Sequence, residues 1–195
     1  MTLVAERRTS AGIQRISGES NIPRAEGSIE RIFLEPSTVR AYPPTISAIL
    51  GAHMIVFGPG SLFTSILPNF LFSDIVQAIR AASAPCVYIC NIAMQPGETN
   101  DFSVADHVAV LEKYIGTNVI DIVVCNDTFP DLPPESKTRY VPFTDLDRAR
   151  LTNYQLLAAD LTDPVQPWRH APGKLARVLL EIVQSNTNPI SFKSQ

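Results

Sequence analysis

The sequence predicts an α/β protein: a Rossmann-like three-layer sandwich with a mostly parallel sheet and a β-rich N-terminal entry. Three observations carry that prediction. The apolar runs "HMIVF", "CVYIC" and "VIDIVVC" recur along the middle of the chain, and unbroken apolarity of strand length marks strands covered on both faces. Amphipathic helical segments separate them, and this order with short links implies parallel pairing and right-handed crossovers. Ahead of them, polar and apolar positions alternate, as in strands with one wet face.

The elements follow in order. "MTLVAE" and "GIQRIS" read as two short strands around a turn, and "SIERIFLEP" as a third. "TISAILGA" has helical spacing, with Ile46, Ile49 and Leu50 on one face and Gly51 at its end. "HMIVFG" is a strand covered on both faces, and "GPGSLFTSILPNF" a glycine loop leading into "SDIVQAIRAAS", a helix with Ser73 as N-cap and Pro85 beyond its end. "CVYICNI" is the next buried strand and "MQPGETNDFS" a loop. "SVADHVAVLEKYIG" is a helix capped by Ser103, with Asp106 at its third position in a capping-box-like arrangement. After the strand "VIDIVVCND", the proline-rich "TFPDLPPESKTRYVPFTD" is a loop excursion with a short strand near "RYVPF". "YQLLAADL" is a last edge strand, and "GKLARVLLEIVQS" an amphipathic closing helix. Residues 1–185 form a single domain and 186–195 a frayed tail.

Composition narrows the classes of function. At 195 residues, 45% hydrophobic and 18% charged, the chain can bury a sizeable core. A net charge of -3 gives no footprint for a nucleic acid polymer. No apolar run approaches the roughly 18 residues of a membrane span, and "MTLVAERRTS" lacks the order of a signal peptide. Cys86, Cys90 and Cys125 lie in or beside β-rich apolar runs. An odd count there reads as reduced core thiols in a cytoplasmic protein, and no second pair completes a zinc site.

Three strands end in polar loops, and in a parallel sheet these loops open on the same edge. Gly58 and Gly60 let the backbone approach an anion, and Ser61, Thr64 and Ser65 add hydroxyls and amides near a helix start. The same loop serves equally as a plain strand-to-helix turn, since it is neither G-x-G-x-x-G nor a Walker loop. Asn91, Gln95 and Asn126 carry paired donors and acceptors suited to a base or sugar edge, and Glu98 and Thr99 can bond a hydroxyl. Trp168, Arg169 and His170 precede the closing helix, where an arginine either grips phosphate or carboxylate or lies on the surface beside its aromatic neighbour. His107 reads as a hydrogen-bonded helical histidine, Asp106 as a capping group, and Asp101 and Asp121 as solvated loop or strand-edge residues. No nucleophile–base–acid set or G-x-S-x-G elbow is present, so no catalytic residue and no metal ligand is assigned.

At "GPGSLFTSILPN", "VYICNIAMQPGETNDFSVADHV" and "WRHAPGKLA" the chain resembles the gluconeogenesis factor (YvcK-like) family. Its members are cytosolic binders of UDP-sugars, notably UDP-N-acetylglucosamine, and relatives of 2-phospho-L-lactate transferase. The resemblance runs from "GESNIP" through the closing helix, and the "GPGSL" loop favours the gluconeogenesis-factor branch over the enzyme. It implies a non-catalytic regulatory protein linked to carbon metabolism and to cell-envelope or shape control, with a UDP-sugar ligand, no required cofactor, and self-association left open. By motif it places Gly58, Gly60, Ser61, Thr64 and Ser65 on one ligand loop and Asn91, Gln95, Gly97, Glu98 and Thr99 on a second. Tyr140 and Arg169 match further contacts. Two alternatives stand beside this: a transferase moving a phospho-organic group from a nucleotide donor, and a truncated interaction module that binds no nucleotide. The chain departs from the family pattern at Phe63, where tyrosine is usual, and in lacking the family's opening "GGGTG" loop and later "GHSLGN" segment. It therefore resembles the C-terminal two-thirds of a member, with one wall of the site missing.

Overall fold

The computed structural model describes residues 1–187. The entry is an antiparallel sheet of β1 (Thr2–Thr9), β2 (Gly12–Ser17) and β3 (Ser28–Glu35), in the order β2-β1-β3. Adjacent Val4 and Ala5 of β1 are both buried, and its register with β3 shifts at Glu6/Arg7. Ala5 and Ile32 face inward and are buried, while Glu6 on the other face accepts from Arg31 Nε at 2.6 Å and from Arg15 Nε at 3.1 Å. A 3-10 turn, Ile22–Arg24, links β2 to β3 and buries Ile22.

Helix α1 (Pro43–Leu50) ends at Gly51, whose amide donates to Ser47 O at 3.0 Å. Its predicted apolar face is only half covered, and Leu50 is exposed. Strand β4 (Ile55–Phe57) leads into a π-helical turn (Leu62–Ile66), a 3-10 turn (Leu67–Leu71) and α2 (Ser73–Ala81). Ser73 is not the cap. Phe72 holds that position in extended conformation without a side-chain bond, and Ser73 is the first helical residue.

Strand β5 (Cys86–Ile89), helix α3 (Val104–Ile115), strand β6 (Ile122–Asn126), helix α4 (Asp145–Arg150), strand β7 (Gln155–Ala159) and helix α5 (Pro172–Thr187) complete the chain. The second sheet runs β4-β5-β6-β7, parallel throughout. Side chains alternate between two cores. Cys86, Tyr88, Val123 and Cys125 meet α2 and α3, together with the N-terminal sheet. Val87, Ile89, Ile122 and Val124 meet α5 through Leu175, Val178, Leu179 and Ile182. The three layers and parallel sheet are those the sequence predicts, and all three cysteines are buried free thiols.

Four further readings change. "HMIVFG" yields only a three-residue edge strand, and Val56 stays 38% exposed, because α5 covers β5 to β7 but not β4. "RYVPF" forms no strand, only the antiparallel bridge of Tyr140 with Ala93. Helix α4 arises inside the segment read as loop, where Thr144 and Asp147 form a capping box. Residues 186 and 187, assigned to the tail, continue α5, and 188–195 lie outside the described residues. Among the described residues no single helix is long and apolar enough to cross a membrane.

Candidate functional site

The loops after β4 and β5 meet at the carboxyl end of the parallel sheet, where such folds place their ligands. Gly58 turns the chain out of β4 at φ +83, and a Cβ there would lie 2.8 Å from Ile89 O. Gly60 is held on both sides by one amide: its N–H donates to Asn91 Oδ1 at 3.1 Å and its carbonyl accepts from Asn91 Nδ2 at 2.7 Å. Asn91 Nδ2 also reaches Gln95 Oε1 at 3.3 Å, and that oxygen accepts from Leu62 N at 3.3 Å.

Glu98 closes the arrangement. Its carboxylate accepts from the Ser61 hydroxyl, from Thr64 Oγ1 at 3.0 Å and from Phe63 N at 3.2 Å. Ser61 Oγ in turn accepts from Thr64 N at 3.2 Å. The Ser61 and Thr64 hydroxyls and the Phe63 amide, read among the loop's anion donors, are thus occupied by a carboxylate of the chain itself, and the Gly60 and Leu62 amides by Asn91 and Gln95. Ser65 is exposed and faces a separate apolar groove along β4.

The second loop is equally engaged. Thr99 is fully buried and its Oγ1 accepts from Gln95 N at 3.0 Å. Gly97 has φ +80 with Pro23 pressed against it, so that a Cβ would lie 1.9 Å from Pro23 O. Behind it the buried Arg7 guanidinium donates to Gly97 O at 2.8 Å, Ile22 O at 2.7 Å, Glu26 O at 3.0 Å and Gly27 O. Burial depresses the Arg7 pKa and the nearby Glu98 charge opposes that shift.

What remains open is a cleft of about 560 Å³ whose walls include Gly60, Asn91, Met94, Gln95, Trp168 and Arg169. Arg169 is exposed, its side chain makes no hydrogen bond or ion pair among the described residues, and no Asp or Glu lines the cleft. His170 forms the base beside it. Burial lowers its pKa, against the opposing effect of the Cys90 carbonyl, and its Nε2 has no partner among the described residues. A cavity of about 600 Å³ at the opposite end, beside His53, Met54 and Asp121, lies at the amino ends of the strands. Ligands of open parallel sheets bind at the other end, so the smaller cleft is the candidate.

Of the predicted site residues, Gly60, Asn91, Gln95 and Arg169 line this cleft. Gly58, Ser61, Thr64, Gly97, Glu98 and Thr99 stand behind it as its frame. Tyr140 lies next to the cleft wall through its bridge to Ala93, with its hydroxyl donating to Pro130 O at 2.9 Å and its ring against Phe129. Asn126 is withdrawn: it is buried, accepts from Leu161 N at 3.1 Å and donates to Thr128 O. Arg7 escaped the sequence reading. The signal available was a charge at the inward register of β1, in step with Leu3 and Ala5.

Residues 2–162 match the family described as 2-phospho-L-lactate transferase CofD. The chain belongs to the CofD family. Among curated members it is 41% identical over 141 residues to the gluconeogenesis factor of Bacillus subtilis, covering 72% of this chain and 43% of that protein. It is 37% identical over 180 residues to the gluconeogenesis factor of Listeria monocytogenes, covering 89% and 54%. The crystal structure of a UPF0052 family protein from Bacillus halodurans superposes with a TM-score of 0.78 at 28% identity, covering 91% of this chain and 58% of that one. The chain thus spans about half the length of the curated gluconeogenesis factors it matches. The family match also begins earlier than expected, in β1, and stops at residue 162, ahead of Arg169.

Proposed function

We propose that this CofD-family chain binds a nucleotide sugar of the UDP-N-acetylglucosamine type in the cleft between the 91–95 loop and the Trp168–His170 segment, as a non-catalytic regulator of carbon metabolism and of the cell envelope and cell shape. One observation carries the reading. The cleft at the carboxyl end of the sheet presents the guanidinium of Arg169, which makes no side-chain hydrogen bond or ion pair among the described residues; the nearby acid whose charge it influences, Asp163, lies outside the cleft lining. A guanidinium in such surroundings favours a diphosphate, which it can grip with two parallel hydrogen bonds. Asn91 and Gln95 supply amides for a sugar or base edge, and Trp168 a flat surface for stacking.

The orientation of Glu98 favours binding over group transfer. Phosphoryl chemistry uses carboxylates to hold metal ions at the diphosphate, whereas Glu98 is spent on Ser61, Phe63 and Thr64. The three buried free thiols accord with a cytoplasmic location. The second reading, a transferase of the 2-phospho-L-lactate type, draws on the family's description. Magnesium-dependent nucleotide release in the presence of an acceptor would establish it.

Calorimetry with UDP-N-acetylglucosamine tests the first reading. Saturable heat is expected for the wild type, and Arg169→Ala should weaken binding about tenfold or more, the scale of a charge-assisted bidentate contact. A folded sample that gives no heat at sub-millimolar protein overturns it.

A further inference from the structure

We propose that Arg7 is a positioning residue for the ligand cleft, acting through Gly97 and Glu98 to preset the loop that carries Asn91 and Gln95; the inference rests on reading that cleft as a ligand site. Arg7 is 1% exposed and has no carboxylate within hydrogen-bond distance. Instead its guanidinium ties together four carbonyls from two distant parts of the chain: Ile22, Glu26 and Gly27 in the N-terminal sheet and its turn, and Gly97 in the second loop. A guanidinium has five donors in a fixed plane, so satisfying carbonyls on both sides fixes the angle between the two parts as well as their separation.

A second contact at the same place agrees. Gly97 is pressed against Pro23, with no room for a Cβ, so the loop backs directly onto the turn that Arg7 grips. From Gly97 the chain of bonds runs outward without a gap. Glu98 follows in sequence and fixes Ser61, Phe63 and Thr64. Those residues hold the turn where Leu62 N meets Gln95 Oε1, and Gln95 meets Asn91. The charges also complement each other, since Glu98 is the acid whose field supports the Arg7 cation. The N-terminal sheet therefore acts as the back plate of the cleft, although none of its residues lines it.

The test compares Arg7→Lys with Leu34→Ala. Leu34 is a buried residue of the same sheet, remote from the Arg7 bonds, so its variant controls for loss of sheet stability. Hydrogen exchange is read at 58–66 and 91–99 in both proteins, at denaturant concentrations that match their global stability. Lysine keeps the charge but cannot reach four carbonyls in a plane. Arg7→Lys is expected to speed exchange in both segments about tenfold over the control, and to weaken UDP-N-acetylglucosamine about tenfold while the control leaves affinity unchanged. Equal exchange in the two variants overturns the role of Arg7. Absence of ligand binding in the wild type overturns the cleft reading alone, because the exchange comparison still decides what Arg7 does.

Discussion

The carboxylate of Glu98 and the hydroxyl of Ser61 are hydrogen-bonded across 37 residues of sequence, and this bond joins the two loops at the carboxyl end of the sheet. With Phe63 N and Thr64 Oγ1 on the same carboxylate, Glu98 serves as a built-in anion for the glycine loop. Replacing Glu98 by Ala leaves two hydroxyls and an amide without their acceptor and the buried Arg7 without its nearest acid. A loss of about 3 kcal/mol is expected, read as a lower urea midpoint at unchanged slope. A loss below about 0.5 kcal/mol would show that water takes over the role of the carboxylate.

Two glycines should respond in opposite directions to the same change. Gly97→Ala places a methyl 1.9 Å from Pro23 O at φ +80, and a destabilisation of about 4 kcal/mol or failure to fold is expected. Gly173 sits in α5 with nothing within 4 Å of an added Cβ. Gly173→Ala should stabilise by about 0.5–1 kcal/mol through backbone entropy. Thermal unfolding of the two variants beside the wild type measures both effects.

Acid should weaken the fold through His107. Its ring is fully buried, with Nδ1 2.8 Å from Ser103 O and an edge-on contact with Phe102. Burial lowers its pKa below the ordinary 6.5, and the Ser103 carbonyl and Asp106 only partly oppose this. The unfolded chain therefore takes up the proton first as pH falls through 6.5, and stability declines from there toward the depressed native value. Above 6.5 the residue adds no pH dependence. His107→Gln should flatten the fall in unfolding free energy between pH 7.5 and 5.5, leaving the share contributed by His170, which shifts in the same direction. An unchanged slope would remove His107 from the account.

Asp147 ties α4 to α3. It caps its own helix through Thr144 and accepts from Ala105 N at 3.0 Å. Burial would raise its pKa, but bonds from Ser103, Thr144 and Ala105 outweigh this and hold it low. Asp147→Ala is expected to cost about 2–3 kcal/mol, the sum of a lost cap and an unsatisfied buried amide. Because the native pKa is depressed, the stabilisation is present above about pH 4 and fades as pH falls further. Chemical denaturation at pH 7 and pH 3 should show a smaller gap between variant and wild type at the second than at the first.

Legibility in the sequence followed the range of the interactions. Ser103 with Asp106 was readable because a capping box is complete within four residues, and β5 and β6 because unbroken apolarity belongs to the strand itself. Thr144 with Asp147 carried the same local signature, hidden by the prolines around it. Ser73 misled because the residue before it, Phe72, can start a helix by backbone conformation alone. The candidate loops were legible as loops, yet the partners of their polar groups were not. Whether the Ser61 hydroxyl faces a ligand or Glu98 is decided by a contact between distant segments, and Arg7 reaches across 90 residues to Gly97. Apolarity likewise identified β4 as a strand but not which neighbours would cover it.

That last strand sets how the protein behaves in bulk. β4 carries no charged residue, Val56 is 38% exposed, and a groove of about 350 Å³ runs along its side. Its three-residue length limits its reach, but an uncharged sheet border still offers backbone groups to further strands, so crowding at this rim, ahead of global unfolding, should limit the concentration at which the protein stays clear. Val56→Lys should raise the onset of light scattering on concentration or mild warming while leaving the unfolding midpoint nearly unchanged. Colloidal behaviour would then be governed by one exposed side chain on a strand whose other two residues, Ile55 and Phe57, face the core.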